Sequence, residues 1–425
     1  MEEEVGIRGY LTAAQGIGGC IKGEPEHFVV EEVPLELPPT EEGRFLLVKV
    51  TSRNWETNRL VRELSRSLGI SRRRISFAGT KDKRAVTTQL MTFEGIETED
   101  LSRIRLRDID LVPLHRTARR LELGHLLGNR FRVRLTDIQL PRQELPERLD
   151  AIVGELQSAG GFPNFFGLQR FGDKRPISHL VGRSIVRGDL QGAVELYLAH
   201  PQPAEEEDAF MARKAFEESG DVSRALREYP DRLGFEKALL NHLRRRPGDY
   251  KGALMQLPHN LLTLFVYAYQ AFLFNKILSL RQEEGLPLGE PLVGDLILPM
   301  GKRGLPRRES PIEVTKANLQ KVRRQLEAGK AWVSGLLLGY DVPFAQGEMG
   351  RLERSVVEEE AVRPEDFVVT EMPRLSSRGL RRGLLAPLME FSHQVDGDVL
   401  LSFRLNPGCY ATALLREVTK GGSPY

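Results

Sequence analysis

The sequence predicts an α+β protein in which one domain is interrupted by another. Three observations carry that expectation. A β-branched run from Val86 to Phe93 and an alternating one from Phe131 to Leu135 mark the first part of the chain. From about Pro176 the spacing of apolar residues becomes helical and stays largely so to about Glu360. Strand, turn and helix signals return between Val399 and Glu417. The expected division is 1–175 and 361–425 for the two parts of the interrupted domain, with 176–360 as the insertion.

Taken in order, residues 18 to 35 alternate enough after Pro25 to read as a strand bounded by prolines. Phe45 to Val50 is a second, and Trp55 to Leu68 shows helical spacing through Leu60, Leu64 and Leu68. Ile104 to Leu123 reads as irregular and rich in arginine. Gly128 to Leu135 alternates strictly, with Asn129, Phe131, Val133 and Leu135 on one face and Arg130, Arg132 and Arg134 on the other. Leu149 to Ala159 is an amphipathic helix stopped by Gly160 and Gly161. Beyond Pro176, helical spacing covers Leu190 to Leu198, Ala209 to Glu218, Phe235 to Leu243, Leu261 to Leu280 and Thr315 to Leu326. The fourth of these is long and apolar, hence a buried helix. Arg363 to Pro373 echoes Glu24 to Pro34, as though one edge element were used in each half of the interrupted domain.

Composition narrows the function. With 40% hydrophobic and 28% charged residues over a length of 425, the chain has material for two soluble cores. Cys20 and Cys409 are too few for a disulfide framework or a zinc cluster, which fits a reducing cytoplasm. No run approaches eighteen consecutive apolar residues and the start, Met1 to Glu4, is acidic, so no membrane association is expected. The net charge is only +2, yet the cations segregate into clusters, among them Arg72 to Arg74, Arg116 to Arg120 and Arg244 to Arg246. That pattern is the footprint of a polyanion binder, although any single cluster also fits a solvated surface.

The stretch Phe77 to Gln89, FAGTKDKRAVTTQ, concentrates the chemistry. It places Asp82 among Lys81, Lys83 and Arg84 on a glycine-started loop between two strand-like runs. Neighbouring cations favour an ionised carboxylate, a competent nucleophile or base at neutral pH. The plain alternative is a solvated charge run. Phe131 likewise has two readings, core residue or site wall. No phosphate-loop, dinucleotide or zinc-protease motif is present, so nothing asks for a nucleotide cofactor or a metal.

This stretch resembles the GxKDKxAxTxQ loop of the TruD-type pseudouridine synthases. Three further segments resemble that family in the same order: GNRFRVRL from Gly128, PNFFGLQRFG from Pro163 and LNPGCYATALLRE from Leu405. Lys22 matches the basic residue of the family's IKxxPEDFxVxE motif, with His27 in place of its usual Asp. Thr80 and Phe165 are small departures from positions often occupied by Met and Tyr. The resemblance implies a pseudouridine-synthase-like catalytic domain with an antiparallel sheet, interrupted by a mixed helical and β TRUD insertion domain. It implies Asp82 as the nucleophile, paired with Lys22, and Asn129 with Phe131 at the target base. Lys81, Lys83, Arg84, Arg170, Arg381 and Arg382 are then the expected RNA-binding cations. Further implications are a tRNA substrate modified at uridine thirteen, no cofactor, no metal and no obligate protein partner. The alternative is a non-catalytic RNA-binding protein that kept the fold, against which the intact set of Asp82, Lys22, Asn129 and Phe131 argues.

Overall fold

The computed structural model describes residues 1–421 apart from 22, 302 and 303. The chain forms two compact units, Leu11–Phe162 with Ala386–Tyr425, and Met1–Tyr10 with Pro163–Leu385. The first, the sheet unit, opens with β1 (Cys20–Ile21), β2 (Phe28–Pro34), β3 (Phe45–Arg53), α1 (Thr57–Ser67), β4 (Ile75–Phe77), β5 (Val86–Glu94), β6 (Ile109–Thr117), β7 (Leu126–Thr136) and α2 (Leu145–Ala159). After the short β8 (Phe162–Pro163) the inserted unit contributes α3 (Ser178–Val186), α4 (Leu190–Leu198), α5 (Glu207–Ser219), α6 (Val222–Glu228), α7 (Gly234–Arg245), α8 (Tyr250–Leu254) and α9 (His259–Glu283). It continues through β9 (Leu296–Pro299), β10 (Ile312–Glu313), α10 (Leu319–Glu327), β11 (Ala331–Leu337), α11 (Gly347–Glu359) and β12 (Leu380–Gly383). The short β13 (Leu385–Ala386) leads back to β14 (Met389–Asp396), β15 (Asp398–Leu405) and α12 (Ala411–Thr419).

The sheet unit is built on nine strands in the order β14-β15-β7-β2-β5-β3-β6, with β1 paired to β7 and β4 to β5. The pairing is antiparallel throughout except between β2 and β5, which run parallel at the centre. Alternation decides the faces. Leu46, Val48 and Val50 of β3 and Met91 and Phe93 of β5 share a face with the apolar stripe of α1, Leu60, Val61 and Leu64. The Glu56 carboxylate starts that helix by accepting from the backbone N–H groups of Asn58 (2.9 Å) and Arg59 (2.8 Å). Gly160 ends α2 in the left-handed region at φ 87°, as the sequence predicts. Where the sequence reads as irregular, β6 is present. As the outer strand it leaves alternate residues exposed, and Pro113 sits beside a register shift, where a missing N–H is tolerated.

The inserted unit is organised around α9. By length and apolar content this helix alone among the described residues matches a membrane span, yet 72% of its most apolar window is buried inside the protein. Asn275 and Arg281, polar residues buried on it, are matched by internal partners, which a lipid-facing helix would lack. Asn275 accepts from Phe166 N (2.9 Å) and donates to Val5 O (3.0 Å) and Phe166 O (3.1 Å). Arg281 makes a fully buried bidentate pair with Asp295 at 2.7 and 2.9 Å. Helix α3 lies close on α9 because Gly182 has no side chain; a Cβ there would be 1.9 Å from the carbonyl oxygen of Phe265. Four strands, β10-β9-β11-β12, complete the unit.

The inserted unit extends beyond 176–360 at both ends. Residues 1–10 join it because Arg8 N donates to Ser279 Oγ (2.9 Å), which in turn donates to Gly6 O (2.8 Å). Residues 361–385 join it because β12 pairs with β11. The echoed segments therefore lie in different units. Both begin with a proline-started 3₁₀ turn, Pro25–His27 and Pro364–Phe367. Only the first continues as a strand; after Phe367 the chain turns and Val369 N is taken by Ser376 Oγ (3.0 Å). The likeness stops at the turn.

His179, on α3, lies stacked 4.9 Å from the ring of Phe272 and edge-on to Phe171. Burial, and then nearby Arg183, push its pKa down to about 4. The folded protein holds this imidazole neutral while the unfolded chain binds a proton near pH 6.5, so stability is complete above that value. It should fall by up to about 3 kcal/mol as pH drops from 6.5 to 4, and no further from this group. Urea denaturation across that range should show the slope in the wild type and its loss in His179→Phe.

Candidate functional site

The loop from Ala78 to Ala85 joins β4 to β5, and neighbouring segments hold it at several points. Ala78 O accepts from Gly124 N (2.8 Å) and Ala85 O from Asn54 N (2.9 Å). Between these ends, Lys81 N donates to Thr57 Oγ1 (2.9 Å), so the start of α1 fixes the middle of the loop. Arg84 reaches Gly23 O (3.3 Å). Asp82 lies in this irregular stretch, half-buried.

Lys81 has a different part from the one the sequence predicts. Its ammonium is 2.6 Å from Glu32 Oε2, with side-chain exposures of 4% and 1% for the two partners. A cation so enclosed is not a surface phosphate contact; it ties the loop down to the central strand β2. Glu32 is the residue that sequence reasoning missed as part of the site. The signal was an acidic side chain at an inward position of an alternating strand, Val30 and Glu32 sharing the buried face.

A polar row crosses the sheet at Glu32. Asn129 on β7 is its direct cross-strand neighbour, and Leu90 N on β5 donates to its other oxygen at 3.4 Å. Gln89, adjacent on β5, is 2% exposed. Asn129 Oδ1 and Gln89 Oε1 are enclosed without a hydrogen-bond partner among the described residues. Buried carbonyl oxygens left unmatched cost about 1–3 kcal/mol each, and two of them flank the same carboxylate.

Phe131 shares that face but is 7% exposed, its ring stacked on Phe403 at 5.2 Å and edge-on to Phe28 at 5.9 Å. Packing thus takes up most of the ring. Lys22 lies outside the described residues. Lys83 and Arg84 are exposed, as phosphate contacts require.

Arg170, Arg381 and Arg382 belong to the inserted unit. Arg170 stands over the ring of Phe166 at 5.5 Å. Arg381 and Arg382 are 1% and 4% exposed, which corrects their reading as RNA-binding cations. Arg381 donates to Ser334 O (2.6 Å) and pairs with Glu353 at 2.7 Å. Burial still holds the Glu353 carboxyl above its usual range, against the pull of Arg381. Arg382 donates to Asn164 Oδ1 (2.5 Å) and lies 4.1 Å from the centre of the Phe166 ring. A sequence shows adjacent arginines on a short strand; it does not show that both faces of that strand are covered.

Comparison with known proteins adds the family. Residues 4–418 match the family model described as tRNA pseudouridine synthase D (TruD). A relative from Methanococcoides burtonii, named probable tRNA pseudouridine synthase D, is 41% identical over 99% of this chain and 97% of its own. One of the same name from Pyrococcus furiosus is 39% identical, covering 99% of this chain and all of its own. A crystal structure of a TruD protein from Methanosarcina mazei superposes with a TM-score of 0.85 at 39% identity, covering 99% of this chain and 98% of that one.

The Glu32 and Lys81 pair is open to a direct check. Glu32→Ala leaves a buried cation unmatched and should cost about 3–5 kcal/mol. Adding Lys81→Ala should recover part of that loss, because the stranded charge is removed. Urea titration of both variants measures it; strictly additive effects would mean that the two groups are not coupled.

Proposed function

This chain belongs to the TruD family of tRNA pseudouridine synthases, and from that membership we propose that it isomerises uridine thirteen of tRNA with Asp82 as the catalytic carboxylate. The observation that carries the proposal is the loop itself. The single carboxylate of the KDKR run sits between two anchors, Lys81 bonded to Glu32 and Arg84 bonded to Gly23 O. That arrangement sets a carboxylate between two fixed neighbours on an anchored loop.

The reaction breaks the bond between N1 of uracil and C1′ of the ribose, turns the base and joins C5 to C1′. C5 then loses its proton and N1 gains one, so the change needs neither redox chemistry nor phosphate energy. One placed carboxylate serves as nucleophile or as base. The target must leave its stack to meet it. In this reading Lys22 keeps Asp82 ionised, as the resemblance implies, and Asn129 offers an amide to the base edge. Phe131 supports that position chiefly from beneath, given its burial. Lys83 and Arg84 meet the RNA backbone, where cations supply position and affinity rather than sequence. The chain acts in the cytoplasm on tRNA, with no cofactor and no obligate protein partner.

The inserted unit selects the RNA in this proposal. Arg244, Arg245 and Arg246 are all exposed at the end of α7. Replacing the three with Ala should weaken tRNA binding and make its salt dependence shallower, since fewer counterions are released. Filter binding at several salt concentrations reads both; unchanged values would free this cluster from any RNA role.

Asp82→Asn keeps nearly the same shape and removes the charge. Tight tRNA binding should survive while single-turnover pseudouridine formation falls by at least about a thousandfold, the behaviour of a group that acts only in the transition state. Mapping pseudouridine on bulk tRNA, with no cofactor added, gives both the activity and the position. Turnover by the Asn variant within tenfold of wild type would remove Asp82 from the mechanism.

A further inference from the structure

A second basic site lies in the sheet unit, apart from the polar row at Glu32. Arg44 and Phe45 at the start of β3, Glu94 at the end of β5, and Arg119, Arg120 and His125 from the β6–β7 connection surround a hollow of about 580 Å³. Glu122 also lines it. Arg44 is ion-paired with Glu94. Arg119 and Arg120 are exposed and have no ion-pair partner among the described residues, which leaves two guanidinium groups against Glu122. His125 Nδ1 is enclosed there without a hydrogen-bond partner among those residues.

The connection that carries these cations is fixed rather than loose. Leu121 is 1% exposed and packs with Ala78, Leu47 and Leu126, while its N–H donates to Thr92 Oγ1 (3.1 Å). The adjacent Arg116 is used up structurally, donating to Gly43 O (2.8 Å) and pairing with Glu97. Most tellingly, Gly124 N donates to Ala78 O at 2.8 Å, the first residue of the loop that bears Asp82. Ala78 and Asp82 are four residues apart, a reach of at most about 14 Å along the chain.

We propose that Arg119 and Arg120, with Arg44 and His125, form a seat for a backbone phosphate of the RNA substrate, a few nucleotides along the strand from the one presented to Asp82. The inference rests on the proposed function for its choice of ligand. Paired guanidinium groups suit phosphate oxygens, which they bind in a two-pronged way. A strand whose target base is drawn to Asp82 brings its neighbouring phosphates past the segment bonded to Ala78. The seat fixes the register of the strand and takes no part in bond making. Leu123, 77% exposed within the same connection, gives the rim an apolar edge against which a sugar or base can rest.

The test is the double variant Arg119→Ala/Arg120→Ala, with Arg119→Lys/Arg120→Lys as the charge-keeping partner. Both sites are exposed, so the thermal melt of each should match wild type. The Ala pair should bind tRNA about tenfold more weakly at physiological salt, with a slope of log affinity against log salt shallower by about one to two. At saturating tRNA its single-turnover rate should stay within about twofold of wild type, and the Lys pair should regain most of the affinity. Unchanged affinity and slope would overturn the proposal. So would a drop in the saturated rate with affinity intact. Inorganic phosphate and AMP distinguish the source of the anion. If either binds wild type but not the Ala pair, while tRNA binding is the same for both, the hollow is a small-anion site and the RNA reading is wrong. A wild-type protein that makes no pseudouridine yet shows the affinity difference would refute the proposed reaction and leave the phosphate seat standing.

Discussion

The ion pair between Lys81 and Glu32 is the interaction on which the site depends. Both side chains are nearly fully enclosed, and moving two charges out of water costs much of what their attraction returns. Such a pair adds little net stability compared with an apolar contact of the same size. What it supplies is position. An apolar side chain at residue 81 has several ways to pack, whereas an ammonium in that cavity has one acceptable place, at the carboxylate of β2. The residue that follows it in sequence is Asp82. The loop is thus fixed by a requirement for charge neutralisation one residue away from the carboxylate, which leaves Asp82 itself unconstrained by that pair.

The same logic recurs in the inserted unit, with another result. Arg281 with Asp295, Arg381 with Glu353 and Arg213 with Glu236 are all enclosed pairs. None lies on a loop between strands of the large sheet. They tie α9 to the segment at Asp295, β12 to α11, and α5 to α7, where apolar side chains alone allow many near-equivalent packings. In this unit buried charge specifies the interior. In the sheet unit it specifies the placement of one loop.

Much of this was legible in the residues. β-branched composition located β5, period-two alternation located β7, and helical spacing located α1, α4 and α9, because each buries one face or all of itself. The motif around Asp82 located the loop, since its residue types are constrained by chemistry rather than by packing. Strand β6 was not legible: an outer strand with a proline at a register shift has neither the alternation nor the composition of a central one. Arg381 and Arg382 were misread for the opposite reason. The resemblance and the local cluster of cations point to a surface, and the partners that enclose them, Asn164, Ser334 and Glu353, are distant in sequence. Glu32 was visible as a letter of a motif but not as a partner, because the residue it neutralises is 49 positions away. Family resemblance supplied the roles that spacing left open, and it supplied no information on which cations are buried.

The order of synthesis gives the interrupted sheet a further meaning. Strand β7 has β2 on one side and β15 on the other, and the link between Arg134 and Asp398 spans 264 positions. At about 5–20 residues per second, a ribosome needs roughly 15–50 seconds to produce the missing neighbour after β7 has emerged. Throughout that interval β7 presents unpaired backbone groups along one side, on a strand whose inward residues are Phe131, Val133 and Leu135. The alternate positions along it are Arg130, Arg132 and Arg134. Three positive charges on a waiting edge discourage a second nascent chain from pairing with it, so the arginines that pair with Glu390 and Asp398 in the finished sheet also protect the protein while it is still incomplete.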